Sequence, residues 1–439
     1  MLFFFLFKVH SSQTLSYSRR GIFLEFLTGY PETLAQFEPN WDSLDSRELP
    51  KWYDEAKIGI FLHWGVFSVP SFKSAWFWKS WKDGSEDIVD FMKKNYPPGF
   101  TYQDFGPSFT AEFFNPYEWA DIFNASGARY IVLTSKHHEG FTLWPSKYSW
   151  NWNSMDVGPG RDLVGDLSKE IRTAFPHIKF GLYHSLYEWF NPLYLQDEKN
   201  GYNSNDFVRL KTMPELYELS PVRKSVVVND RWGKGITCHH GSFYTCQDKF
   251  NPGVLQPHKW ENCMTLDKYS WVYNRLSPLQ NYLTIEELLN TLVKTISCGG
   301  NLLVNTGPTH DGRIAPIMEE RLRQMGSWLS INGEAVYGSK PWVYQNDTYT
   351  PDIWFTRSTG AESFVYAFIS TWPENSYLIL GSVKKTTKSV VQMLGCTQVL
   401  QTEKSREGLK IWFPRKNNVK SNWNFVLKMK YVKPRIPKF

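Results

Sequence analysis

The sequence predicts an α/β protein, a (β/α)8-like barrel followed by an all-β sandwich, and two observations carry that prediction. From about residue 41, short apolar stretches alternate with helical ones; after Tyr337 the helical periods vanish. The length of 439 residues allows two units, each with its own core. Strands that alternate with helices argue for a parallel sheet with helical crossovers.

The strand candidates of the first unit are Ile58–His63, Tyr130–Thr134, Phe180–His184, Val226–Asn229 and Leu302–Asn305. Helical stretches lie between them at Pro116–Ala125, Asp162–Thr173 and Ile285–Thr295. Pro116 suits a first helical turn, where a missing N–H costs nothing. A helix from Pro316 to Ser330 ends at Asn332-Gly333, a stop signal. A barrel carries its site at the C-terminal ends of its strands. His63, the His137-His138 pair, His184 and Asp230 fall there. Beyond Tyr337, Ile353–Arg357, Phe364–Ile369, Tyr377–Leu380, Val390–Leu394, Leu409–Phe413 and Phe425–Tyr431 read as strands separated by turns, the texture of a sandwich. The chain therefore divides into residues 1–40, a leader or altered start outside the fold, 41–336, the barrel, and 337–439, the sandwich. Met1–Phe7 is apolar, but no basic region precedes it, Lys8 interrupts it and no small-residue cleavage site follows, so it makes a poor signal peptide.

Composition narrows the function. No run of 18 apolar residues exists, so nothing spans a membrane. The net charge of +6 is small, and the basic end, Lys428 to Lys438, lacks the aromatic partners of a nucleic-acid module. Twenty Trp and 23 Tyr suit either a large aromatic core or a pocket for a ligand with CH and OH faces, such as a sugar. Of five cysteines, Cys238 and Cys246 are spaced for a small loop disulfide, compatible with an oxidising compartment. Sequons stand at Asn124 and Asn346. His137-His138 and His239-His240 are doublets, whereas zinc sites want spacings such as H-x3-H, so no metal is expected.

Four stretches carry a resemblance: Trp52-Tyr53-Asp54-Glu55-Ala56-Lys57 through His63-Trp64-Gly65; Ser135-Lys136-His137-His138-Glu139-Gly140-Phe141; Val228-Asn229-Asp230-Arg231-Trp232-Gly233; and Gly299-Gly300-Asn301 through Asn305-Thr306-Gly307-Pro308. In this order they resemble the family-29 α-L-fucosidases, particularly the animal lysosomal and plasma enzymes, from about Trp41 to the C-terminus. The resemblance implies a retaining hydrolase that removes terminal α-L-fucose from glycoproteins and glycolipids, without a cofactor, in a lysosome or outside the cell, with a homo-oligomer allowed. Such chemistry uses two carboxyl groups about 5–5.5 Å apart. By the same resemblance Glu261 matches the acid/base, with Trp260 as its apolar wall. His63, His137, His138 and Tyr183 match residues that hydrogen-bond the fucose hydroxyls. Arg231 matches an arginine beside the catalytic carboxylates, and Trp271 a ring on the sugar's methyl-bearing face.

The sequence departs from the family in two places. The resemblance implies a nucleophile strand reading roughly Asp-Leu-Ile-Trp-Ser-Asp-Gly after Met213–Leu219, yet Leu219 is followed directly by Ser220-Pro221-Val222-Arg223-Lys224 and the next strand. The gap is about one βα unit, roughly 30 residues. The barrel is therefore expected to lack one strand, and the chain to be inactive or impaired. The alternatives are a non-catalytic binder of fucosylated glycans and a product that does not fold. Asp230 is the nearest stand-in carboxylate, at a position the family does not use as nucleophile. Ala75 stands where the family has a sugar-binding Glu.

Overall fold

The computed structural model describes residues 2–7, 37–38, 40–201, 217, 220–233 and 235–436. Its barrel sheet has six strands: β1 (Leu2–Phe7), β2 (Ile58–Leu62), β3 (Tyr130–Lys136), β4 (Lys179–Ser185), β5 (Trp260–Thr265) and β6 (Gly300–Thr306). Their order is β1-β4-β3-β2-β6-β5. β2 to β6 run parallel, while β1 pairs antiparallel with β4. The expectation that residues 1–40 stand outside the fold is corrected for Leu2–Phe7, which enters the sheet. The rest of residues 8–36 lies outside the described residues.

The helices form where the sequence supplies their ends. Asn115 caps Pro116–Ala125 by accepting from Tyr117 N at 3.0 Å. Asp162 caps Leu163–Ala174 from Gly165 N at 2.8 Å. Thr284 and Glu287 form a reciprocal capping box at the start of Ile285–Ser297. The buried side chains of these helices, such as Leu167, Ile171, Leu288 and Leu292, pack on the outer face of the sheet against Ile60, Ile131 and Val304.

β5 was not legible as a strand, because Trp260-Glu261-Asn262-Cys263-Met264-Thr265 mixes polar and apolar residues. All six are buried, since one face meets the helices and the other fills the barrel. Val226–Asn229, expected as a strand, is buried but forms no ladder. The outer edge of β4 is taken by β1, and Val228 O accepts instead from Ser242 N at 3.0 Å and Phe243 N at 3.3 Å. The segment that follows, through Tyr244, bridges to β5: Tyr244 N donates to Lys259 O and Glu261 N to Tyr244 O, both at 2.8 Å.

After the helix Pro316–Asn332 the sheets of the described residues are all antiparallel. Lys340–Asn346, Ile353–Arg357, Phe364–Ile369, Phe425–Lys430 and Val390–Met393 make a five-stranded sheet, faced by a three-stranded one of Tyr377–Leu380, Leu409–Trp412 and Thr402–Lys404. Between them Phe355, Ala367, Leu380, Ile411 and Leu427 form a separate core. A partly buried ionic knot ties this domain to the barrel's floor: Asp54 receives Lys57 at 3.2 Å, Lys259 at 2.8 Å and Lys340 from the first strand of the sandwich. The lysines hold the Asp54 carboxyl far below the usual range against the opposing effect of burial.

Candidate active site

A cavity of about 250 Å³ opens at the C-terminal ends of the barrel strands. Its floor is Phe61, Tyr183 and Cys263, and its walls include His63, His137, His138, Trp271, Trp76 and Arg231. Pockets for drug-sized ligands run about 300–1,000 Å³; this one suits a single monosaccharide.

His63 follows β2 directly and is held by Asn305 on β6, with Nδ1 2.7 Å from Oδ1. That bond fixes Nδ1 as the donor and leaves Nε2 as an acceptor. Burial, then the neighbouring His137, push its pKa down to about 3. His137 and His138 stand just past β3, where a register shift between Thr134 and Lys136 and a turn closed by Gly140 N to His137 O at 3.1 Å re-aim the chain. Two neighbours that would point opposite ways on a regular strand thus both line the cavity. His137 Nδ1 is 3.2 Å from Glu139 Oε2, and His138 Nδ1 is 2.5 Å from Ser185 Oγ. Burial holds His138 well below the usual imidazole range. His63 and His138 are therefore neutral near pH 7, each with one ring nitrogen committed to the protein and one left for a ligand hydroxyl.

Trp271 lies on the loop after β5, its carbonyl accepting from Asn305 Nδ2 at 2.6 Å and its ring 5.3 Å from that of His63. A Cβ at Gly307 would sit 2.1 Å from Tyr273 N, so glycine there lets the Trp271 loop close on the end of β6. The Tyr183 ring stacks against His137 at 5.7 Å.

The carboxylates fall out differently from the sequence reading. Glu261 is the second residue of β5 and lies at the barrel's floor rather than its mouth. It shares a face with Cys263, which separates it from the cavity by two residues, about 7 Å of strand. Its Oε2 accepts from Tyr130 at 2.6 Å and Tyr53 at 2.8 Å, it is 1% exposed, and burial pushes its pKa up to about 7. Glu261 does not line the cavity. Asp230 does not either: its Oδ1 accepts from Thr245 N at 3.0 Å and Thr245 Oγ1 at 2.7 Å, its Oδ2 from Cys238 N at 2.7 Å and Cys246 N at 3.0 Å. It anchors the loop closed by the Cys238–Cys246 disulfide, the pairing the spacing suggested. With both oxygens committed, it is no stand-in nucleophile.

The carboxylate that faces the cavity is Asp248, which the sequence reading missed. Arg231 donates from Nε to Thr245 Oγ1 at 2.8 Å and from Nη2 to Asp248 Oδ1 at 2.9 Å, so the anchored loop aims Asp248 through Arg231. Asp248 is half exposed. Among the described residues that line the cavity it is the one carboxylate. Ala75 also lines it, without a polar atom to offer. Among the described residues no group of three His, Cys, Asp or Glu could hold a metal ion. The His239-His240 doublet is spent on Thr237 O and Asp45, and His240 stacks on Trp41.

The fold and the motifs have known counterparts. The sequence profile described as Alpha-L-fucosidase matches residues 28–221 and 216–334, two segments that meet around Leu219, and the profile described as Alpha-L-fucosidase C-terminal domain matches 345–430. The alpha-L-fucosidase of Branchiostoma floridae is 51% identical over 436 residues, covering 90% of this chain and 96% of its own. Ninety per cent of 439 residues is about 395, so about 40 of those 436 positions have no counterpart here. The human plasma alpha-L-fucosidase is 52% identical, with 83% of this chain and 84% of that one covered, and the human tissue enzyme 49%, with 82% and 84%. The crystal structure of Thermotoga maritima alpha-fucosidase in complex with a mechanism based inhibitor superposes with a TM-score of 0.77 at 30% identity, over 90% of this chain and 100% of that one. With profiles matched across both domains and half of its residues shared with full-length animal relatives, the chain belongs to the α-L-fucosidase family.

Proposed function

We propose that the cavity holds one terminal α-L-fucose of a glycoprotein or glycolipid, and that this chain turns it over poorly because a single carboxylate faces the sugar. In that reading His63, His137, His138 and Tyr183 bind the hydroxyls, and Trp271 packs against the methyl-bearing face. Arg231 orients Asp248. Asp248, not Glu261, protonates the leaving oxygen and afterwards activates water. A retaining reaction needs a second carboxylate about 5–5.5 Å away to attack the anomeric carbon. The observation that carries the reading is the cavity lining, in which, among the described residues, Asp248 has no such partner. The junction of the two profile segments around Leu219 supports loss of the strand that would bring one. Ala75 in place of a carboxylate weakens binding further. The plasma and tissue relatives and the Cys238–Cys246 disulfide favour a secreted or lysosomal setting.

The test is hydrolysis of a chromogenic aryl α-L-fucoside by this chain beside a version with the strand restored after Leu219. Turnover by the restored version alone is the expected result. Equal turnover by both would overturn the impairment, and turnover by neither would overturn the site assignment.

A further inference from the structure

We propose that Leu2–Phe7 acts as a stand-in strand, closing the sheet edge that β4 would otherwise leave open. The pairing is continuous over six residues, from Leu2 opposite Ser185 to Phe7 opposite Phe180. Its direction sets it apart: the ladders among β2 to β6 are all parallel, and β1 alone in this sheet runs antiparallel. A strand reached through a helical crossover runs parallel to its neighbour, so an antiparallel one comes from outside the repeating progression. The segment Leu-Phe-Phe-Phe-Leu-Phe is apolar at every position and carries no proline to interrupt a ladder. The next described stretch that approaches the wall, Val226–Asn229, pairs with Ser242 and Phe243 and leaves the β4 edge to Leu2–Phe7. An open edge there would present a row of unpaired backbone groups to any extended chain, including a second copy. The stand-in strand contains no carboxylate, so it closes the wall without supplying a nucleophile. It follows that this apolar N-terminal segment is a structural element, and that proteolytic removal of it uncovers β4.

Cysteine cross-linking tests the pairing without using activity, so its failure is distinct from failure of the fucosidase reading. Phe5 and Leu182 are register partners. Phe5→Cys with Leu182→Cys is expected to form a disulfide within one chain, and Phe5→Cys with His184→Cys, two residues out of register, is not. No cross-link in the first pair, equal cross-linking in both, or a cross-link only between two chains would each overturn the proposal. A second measurement is backbone amide exchange in a chain lacking residues 2–8. Exchange at Lys179–Ser185 is expected to quicken at least about tenfold, with Phe364–Ile369 in the sandwich unchanged. Unaltered exchange at Lys179–Ser185 would overturn the proposal equally.

Discussion

Replacing Glu261 by Gln tells a structural carboxyl from a catalytic one. The group is buried between Tyr53 and Tyr130, and its pKa rises from 4.5 to about 7. Burial is the largest cause, and the charge of Asp230 adds to it, while the two tyrosine hydroxyls and Lys259 pull the other way. Between pH 4.5 and 7 the folded chain keeps this proton and the unfolded chain gives it up. The stabilisation is therefore complete below pH 4.5 and lost as pH rises through 7. At about 1.4 kcal/mol for each tenfold, the displacement amounts to about 3 kcal/mol. Gln is neutral throughout and still accepts from both tyrosines, so Glu261→Gln removes the pH dependence and keeps the shape. Thermal unfolding of both proteins from pH 4.5 to 8 reads the effect. The unsubstituted chain is expected to lose about 3 kcal/mol relative to the variant, roughly 5 °C in Tm. Parallel curves over that range would refute the argument from burial. If instead Glu261→Gln abolished fucoside turnover in the strand-restored chain while stability stayed level, the acid/base role would return to Glu261.

Other outcomes follow from the same geometry. Asp248→Asn in the strand-restored chain is expected to lower kcat by about 10²–10⁴-fold, with Tm little changed because Asp248 is half exposed. Asp230→Ala leaves the amides of Cys238, Thr245 and Cys246 without their acceptor; a loss of about 2–4 kcal/mol in denaturant unfolding is expected. Cys238→Ser opens a loop whose ends are 8 residues apart, for which chain entropy gives about 2–3 kcal/mol in the same measurement. Expressed through a secretory route, the chain is expected to carry glycan at Asn346, which is exposed at a strand end. Asn124 should carry none, since it lies within the helix Pro116–Ala125 and its sequon serine, Ser126, is buried against Phe123 O. Glycopeptide mapping distinguishes the two.

The strands Ile58–Leu62 and Tyr130–Lys136 and the helix Ile285–Ser297 were legible because their signals are local: apolar runs, caps and stop residues within a few positions. The histidines of the cavity were legible for a related reason. A parallel barrel gathers the residues that follow its strands, so His63 and the His137-His138 pair could be placed together by position alone. The same rule, applied to Glu261, would have placed it at the barrel's floor, had Trp260–Thr265 been recognisable as a strand. Its mixed composition hid where the strand starts, and with that which end Glu261 occupies. Asp248 carried no signal of its own; its place depends on Arg231 and on a loop fixed through Asp230, contacts made across 15 and 17 residues.

The sequence by itself determined most strands and helices of the barrel, the all-β end and the disulfide, and its family resemblance marked the stretch around Leu219 where a strand is expected. The first three rest on periodicity or spacing within a short window, the last on the family's motif order. Only the tertiary structure decided which carboxylate meets the cavity and what covers the edge of β4. Both are questions of register and direction between segments far apart in the chain: a shift of two residues along β5 moves a side chain about 7 Å, from the mouth of the barrel toward its floor. Leu2–Phe7 finds Lys179–Ser185 through backbone hydrogen bonds, which any extended segment can offer and no side-chain pattern announces.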